Sequence, residues 1–92
     1  MTKAELVAQV ADKMQLTRQQ TEAVVNLLLR CITEALSGGE NVELRGFGSF
    51  RIRQRQPREG RNPKTGQPVQ IPAKKVPMFK AGKALRAMVD RP

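Results

Sequence analysis

The sequence has no histidine, tryptophan or tyrosine, a single cysteine, and three aromatic residues, Phe47, Phe50 and Phe79. With no histidine and too few carboxylates in its second half, it offers no acid–base pair and no metal-ligand cluster. A phosphate-binding loop is absent as well. A nuclease-like arrangement around Glu59 lacks a second carboxylate to hold a metal. These absences argue against an enzyme and against a cofactor, a metal or a small-molecule ligand. Cys31 has no partner for an intrachain disulfide; it lies in an apolar helical run, where it reads as a small hydrophobe rather than a redox centre. No apolar run reaches the roughly 18 residues of a membrane span, and Lys3 and Glu5 break any leader-like stretch. The expectation is a soluble, cytoplasmic protein.

Charge is abundant but one-sided. The 92 residues carry a net +9. Residues 1–44 hold four basic and six acidic residues, a net −2; residues 45–92 hold thirteen basic residues against Glu59 and Asp90, a net +11. Such segregation separates a scaffold from an electrostatic surface and points to a polyanion, nucleic acid ahead of an anionic membrane. A chain of this length forms one domain with a modest core. With one good apolar helix and little to cover it, such a chain often completes its core with a second subunit.

Thr2 with Glu5 reads as a capping box opening a helix whose apolar stripe is Leu6, Val7, Val10, Ala11 and Met14. Thr17 with Gln20 repeats the signature before a longer helix. That helix carries Val24, Val25, Leu28, Cys31, Ile32, Ala35 and Leu36 on one side, with Leu27 and Leu29 broadening the stripe. Gly38-Gly39 stops it. The period then shortens. Residues 41–44 alternate as a strand, and Gly46 and Gly48 suggest a turn or bulge around Phe47. Strict alternation would put Phe47, Ser49, Arg51 and Arg53 on one face with Phe50 and Ile52 on the other, and Arg51, Arg53 and Arg55 in one basic row. Val76, Met78 and Phe79 return as a strand, and Lys80–Val89 carries the pattern of a short final helix.

Residues 57–72 contain Pro57, Gly60, Pro63, Gly66, Pro68 and Pro72, with Val69 and Ile71 almost the only apolar residues. Such a segment cannot make a core; it is a disordered linker or an exposed ribbon that folds onto something else. The turn signal Pro63-Lys64-Thr65-Gly66 favours a two-stranded arm with its tip there. Arginines on such an arm suit a narrow electronegative groove, and a stiff proline can either wedge into a base step or merely shape the turn.

Three segments resemble the bacterial HU and integration host factor family: Gly46-Phe47-Gly48-Ser49-Phe50, Gly60-Arg61-Asn62-Pro63-Lys64-Thr65-Gly66, and Val76-Pro77-Met78-Phe79-Lys80-Ala81-Gly82-Lys83. The resemblance covers nearly the whole chain in order. It implies an α+β intertwined dimer with an N-terminal two-helix body, an antiparallel β saddle, an extended β-ribbon arm and a short C-terminal helix. The corresponding segments are residues 1–39 for the helical dimerisation body, 40–56 and 73–80 for the saddle, 57–72 for the arm and 81–92 for the helix. By the same resemblance Pro63 intercalates at the arm tip, and Arg58, Arg61 and Asn62 lie in or along the minor groove, with Lys64 beside them and Arg53 and Arg55 at the arm base. Lys3, Gly46, Gly48, Lys80, Lys83 and Arg86 would meet phosphates along the body. Leu29, Ile32, Leu36, Leu44, Phe47, Phe50 and Phe79 would form the shared intersubunit core. The partners implied are double-stranded DNA and a second copy of the chain, or a paralogue in a heterodimer.

Within that resemblance the reading taken is HU-type: a nucleoid-associated homodimer that wraps, bends and compacts DNA with low sequence preference. Ile71-Pro72-Ala73, Val76-Pro77 and the short tail after Met88 lean that way. Pro57-Arg58 and Asn62-Pro63-Lys64-Thr65-Gly66 lean toward the alternative, a site-specific integration-host-factor-like subunit. A different class, an RNA-binding module, is weakened because the arm has no aromatics on which bases could stack.

Overall fold

The computed structural model describes residues 1–91, the side chains of Arg58 and Ile71 excepted. Three helices and five strands follow in the order α1 (Lys3–Met14), α2 (Arg18–Ser37), β1 (Val42–Leu44), β2 (Gly48–Arg55), β3 (Arg58–Arg61), β4 (Pro68–Ile71), β5 (Lys74–Ala81) and α3 (Lys83–Val89). Two compact units divide the chain, Met1–Ala35 and Leu36–Pro92.

In the first unit the helix starts are set locally. The Thr2 hydroxyl accepts from the Glu5 amide at 3.2 Å. At α2 the cap is reciprocal: the Gln20 amide donates to the Thr17 hydroxyl and the Thr17 amide to the Gln20 side-chain oxygen, both at 3.1 Å. Orphan amides at both helix starts are thereby satisfied. Gln15, in the left-handed region at φ 56°, ends α1, and the Leu16 amide reaches back to the Ala11 carbonyl at 3.0 Å. Val7 and Ala11 are the buried apolar residues of α1, and Thr21 is the buried residue of α2. Most of α2's apolar stripe is open: Val24 is 63% exposed, and Leu27, Leu28 and Leu29 are exposed as well. A 20-residue helix with this much uncovered leucine is not finished by one chain.

The second unit is built on two antiparallel sheets, β1-β2-β5 and the two-stranded ribbon β3-β4. In the first sheet Phe50 faces Phe79, Ile52 faces Pro77, Arg51 faces Met78 and Arg53 faces Val76. Directly paired residues share a face and successive residues alternate. One face therefore carries Val42, Leu44, Phe50, Ile52, Pro77 and Phe79, with the polar pair Gln54 and Lys75 at its far end, and the other Glu43, Ser49, Arg51, Arg53, Arg55, Lys74, Val76, Met78 and Lys80.

Two sequence expectations change. Phe47 does not share a face with Arg51 and Arg53. It lies in the turn before β2, closed by its amide donating to the Leu44 carbonyl at 2.9 Å, with Gly46 at φ 87°. That turn breaks the alternation, and the Phe47 ring joins Phe79, with centroids 5.5 Å apart, while Phe79 meets Phe50 at 4.9 Å. The last helix begins at Lys83, not Lys80, because residues through Ala81 stay in β5, paired with Gly48.

Candidate nucleic-acid interface

Gly48 shows how tightly the phenylalanine side is built. A Cβ there would sit 2.7 Å from the Lys80 carbonyl oxygen and press on the Phe79 ring, so only glycine fits. The same corner is tied to the start of α3 by the Gly82 amide donating to the Phe47 carbonyl at 2.8 Å. Gly46, Gly48, Lys80 and Lys83 are thereby gathered near one corner, with Arg86 one turn along α3. Lys3 belongs to the helical unit, where its ammonium donates to the Asn26 side-chain oxygen at 2.8 Å.

The polar sheet face holds Arg51, Arg53, Arg55, Lys74 and Lys80, all exposed. Arg51 is oriented by a 3.1 Å hydrogen bond from its Nε to the Ser49 hydroxyl, two residues away on the same face. Where β2 ends and β5 begins, Arg53, Arg55 and Lys74 line an open cleft of about 520 Å³ with Pro57 and Pro72. Lys74 is not among the residues the sequence points to. Its signal was present in the even spacing of Lys74, Val76, Met78 and Lys80, but the spacing does not say which side of the sheet those residues share.

Beyond the cleft, β3 and β4 pair from Arg58↔Ile71 to Arg61↔Pro68. The tip is a closed loop: the Asn62 amide donates to the Gln67 carbonyl at 2.9 Å, and the Gly66 amide to the Asn62 carbonyl at 2.7 Å. The Asn62 side-chain oxygen accepts from the Lys64 amide at 2.9 Å, and the Thr65 hydroxyl from the Gln67 amide at 3.3 Å. Gly66, at φ 73°, lets the chain turn back without strain. With its oxygen so engaged, Asn62 has its amide NH₂ left as a donor. Arg61, Pro63 and Lys64 are exposed at this tip. The side chain of Arg58, also expected on the arm, lies outside the described residues.

None of Leu29, Ile32, Leu36, Leu44, Phe47, Phe50 and Phe79 is buried; Phe47 remains 48% exposed despite its ring contact with Phe79. Among the described residues no helix is long and apolar enough to cross a membrane and no group of three potential metal ligands occurs.

Fold and site together define a basic α+β protein: a sheet with a phenylalanine-bearing face and a cationic face, extended by a self-bonded ribbon. The family model for bacterial DNA-binding proteins matches residues 1–90, and the chain belongs to that family. It is 51% identical to an integration host factor subunit beta of Dechloromonas aromatica, over 99% of this chain and 98% of that one. It is equally 51% identical to the DNA-binding protein HU of Nostoc sp., over 100% and 98%. Among solved structures, an Anabaena HU–DNA cocrystal structure matches with a TM-score of 0.92 at 51% identity, covering all of both chains. HU from Thermotoga maritima matches at 0.71 and 33%, over 98% of this chain and all of that one.

Proposed function

We propose that this protein is an HU-type architectural DNA-binding protein, a dimer that bends and wraps duplex DNA in the bacterial nucleoid. The observation that carries the reading is the segregation of the second unit. Arg51, Arg53, Arg55, Lys74 and Lys80 share one sheet face, the phenylalanines take the other, and a basic ribbon with an exposed Pro63 continues from the sheet's end.

In this mechanism each residue class does a different task. The sheet cations, with Lys3, Lys83 and Arg86, meet phosphates, which position the protein without reading sequence. Displacing counterions from the duplex supplies most of the affinity. Arg61 and Arg58 follow the minor groove, where narrow A·T-rich stretches deepen the negative potential. The groove floor offers mainly acceptors, which suits the Asn62 amide once its oxygen is held by the turn. Pro63, exposed at the tip of a stiff loop, wedges into a base step. Unstacking costs on the order of a few kcal/mol and is offset because a bent duplex touches more protein. The exposed apolar residues of α2 and the phenylalanine turn supply the dimer contact, so that two ribbons act on one duplex.

A second reading, a site-specific subunit working in a heterodimer, is favoured by the relatives named integration host factor subunit beta. Binding of the purified protein to random and candidate duplexes across a salt series separates the two. HU-type binding falls steeply with salt and shows a specificity ratio near one; a ratio of about a thousand or more supports the site-specific subunit. Sizing the protein alone distinguishes self-dimerisation from dependence on a paralogue.

A further inference from the structure

A sheet with one solvated face alternates apolar and polar residues along each strand, whereas a strand covered on both faces reads as a continuous apolar run. β2 alternates: Phe50 and Ile52 lie on one side, Arg51, Arg53 and Arg55 on the other. β5 does not. Its centre, Val76-Pro77-Met78-Phe79, is apolar without interruption. Pro77 and Phe79 belong to the phenylalanine face, while Val76 and Met78 lie on the cationic face opposite Arg53 and Arg51. Met78 is 42% exposed there, between Val76 and Lys80 along its own strand. The phenylalanine cluster lies across the sheet and gives no reason for an apolar residue on this side.

We infer that Met78 and Val76 form an apolar strip in the cationic sheet face that packs against the deoxyribose edges of the bound duplex, between the phosphates held by the flanking cations. The occupant follows from the surroundings: Arg51, Arg53, Arg55, Lys74 and Lys80 share the face with one carboxylate, Glu43, and the cationic excess suits a polyanion and repels a second copy of the same face. A duplex backbone presents apolar sugar carbons between its phosphates, so a strip between cations meets both chemistries at once. Methionine suits an irregular sugar surface because its unbranched thioether adapts its shape. Arg51, held toward Ser49, is drawn along its own strand and leaves the Met78 side chain accessible. The contact adds affinity that does not depend on ion release, and it is insensitive to sequence because every nucleotide carries the same sugar.

This inference rests on the DNA-binding reading, and the salt series tests them apart. Affinity for a random-sequence duplex is measured for the dimeric wild type, Met78→Gln, Met78→Leu and Arg53→Gln, and log affinity is plotted against log salt. Arg53→Gln flattens the slope because fewer counterions are released. Met78→Gln is expected to leave the slope unchanged and lower the affinity extrapolated to molar salt by about tenfold across the two protomers. Met78→Leu is expected to retain it. An unchanged extrapolated affinity for Met78→Gln, or a slope altered as in Arg53→Gln, overturns the apolar contact. Dimer dissociation in Met78→Gln with unaltered affinity per dimer also overturns it and makes a second copy the occupant. A wild type that binds no duplex overturns the DNA reading itself.

Discussion

The helical unit and the arm expose opposite things. The residues exposed along α2 include Val24, Leu27, Leu28 and Leu29, in a half of the chain with a slight acidic excess. The arm exposes Arg61, Lys64 and Pro63 and spends its backbone groups on its own ladder and loop. An uncovered apolar surface is relieved by another apolar surface, and a self-satisfied cationic ribbon by a polyanion. One chain therefore displays two unmet requirements of different kind, and the sheet between β1 and β5 carries both, one on each face.

The comparison breaks first at the phenylalanine turn. Phe47→Ala removes a ring that touches Phe79 and is expected to cost about 3–5 kcal/mol of dimer stability, abolishing dimer and DNA binding together. A folded Phe47→Ala monomer seen by sedimentation, or full DNA affinity, would contradict a shared core. Gly48→Ala sets a methyl group against the Lys80 carbonyl and the Phe79 ring, so thermal denaturation should show a loss of about 1–3 kcal/mol. Pro63→Ala separates bending from binding. The bend angle by fluorescence transfer is expected to fall while most charge-driven affinity survives; an unchanged angle leaves Pro63 a turn residue only. Thr17→Ala has the smallest expected effect, about 1 kcal/mol from the lost reciprocal cap, with DNA affinity per folded dimer unaltered. A matching loss of DNA affinity would mean that the helical unit and the arm do not divide their work as proposed.

Local signals carried far along this chain. Both helix caps, the Gly38-Gly39 stop and the turn at Pro63–Gly66 depend on residues within a few positions of one another, and each is visible in its own short segment. The arm was recognisable because a proline-rich segment almost without apolar residues has few alternatives. Alternation alone misplaces Phe47, because it runs through a turn whose geometry depends on Gly46 in the left-handed region. The local pattern also misplaces the start of α3: Lys80 and Ala81 suit a helix locally, yet are held in β5 by pairing with Ser49 and Gly48, more than thirty residues away.

The sequence alone dictates that the charge is segregated, that α1 and α2 start at their caps and α2 stops at Gly38-Gly39, and that residues 57–72 lie outside a core. Those outcomes follow from composition and near-neighbour chemistry. The tertiary structure decided which residues share a surface: that Lys74 and Lys80 join the arginine row, that Met78 and Val76 stand among these cations, and that Phe47 turns toward Phe79. The physical reason is register. A strand's own alternation defines two faces but not which is which, and only pairing with a distant strand brings the two patterns into phase.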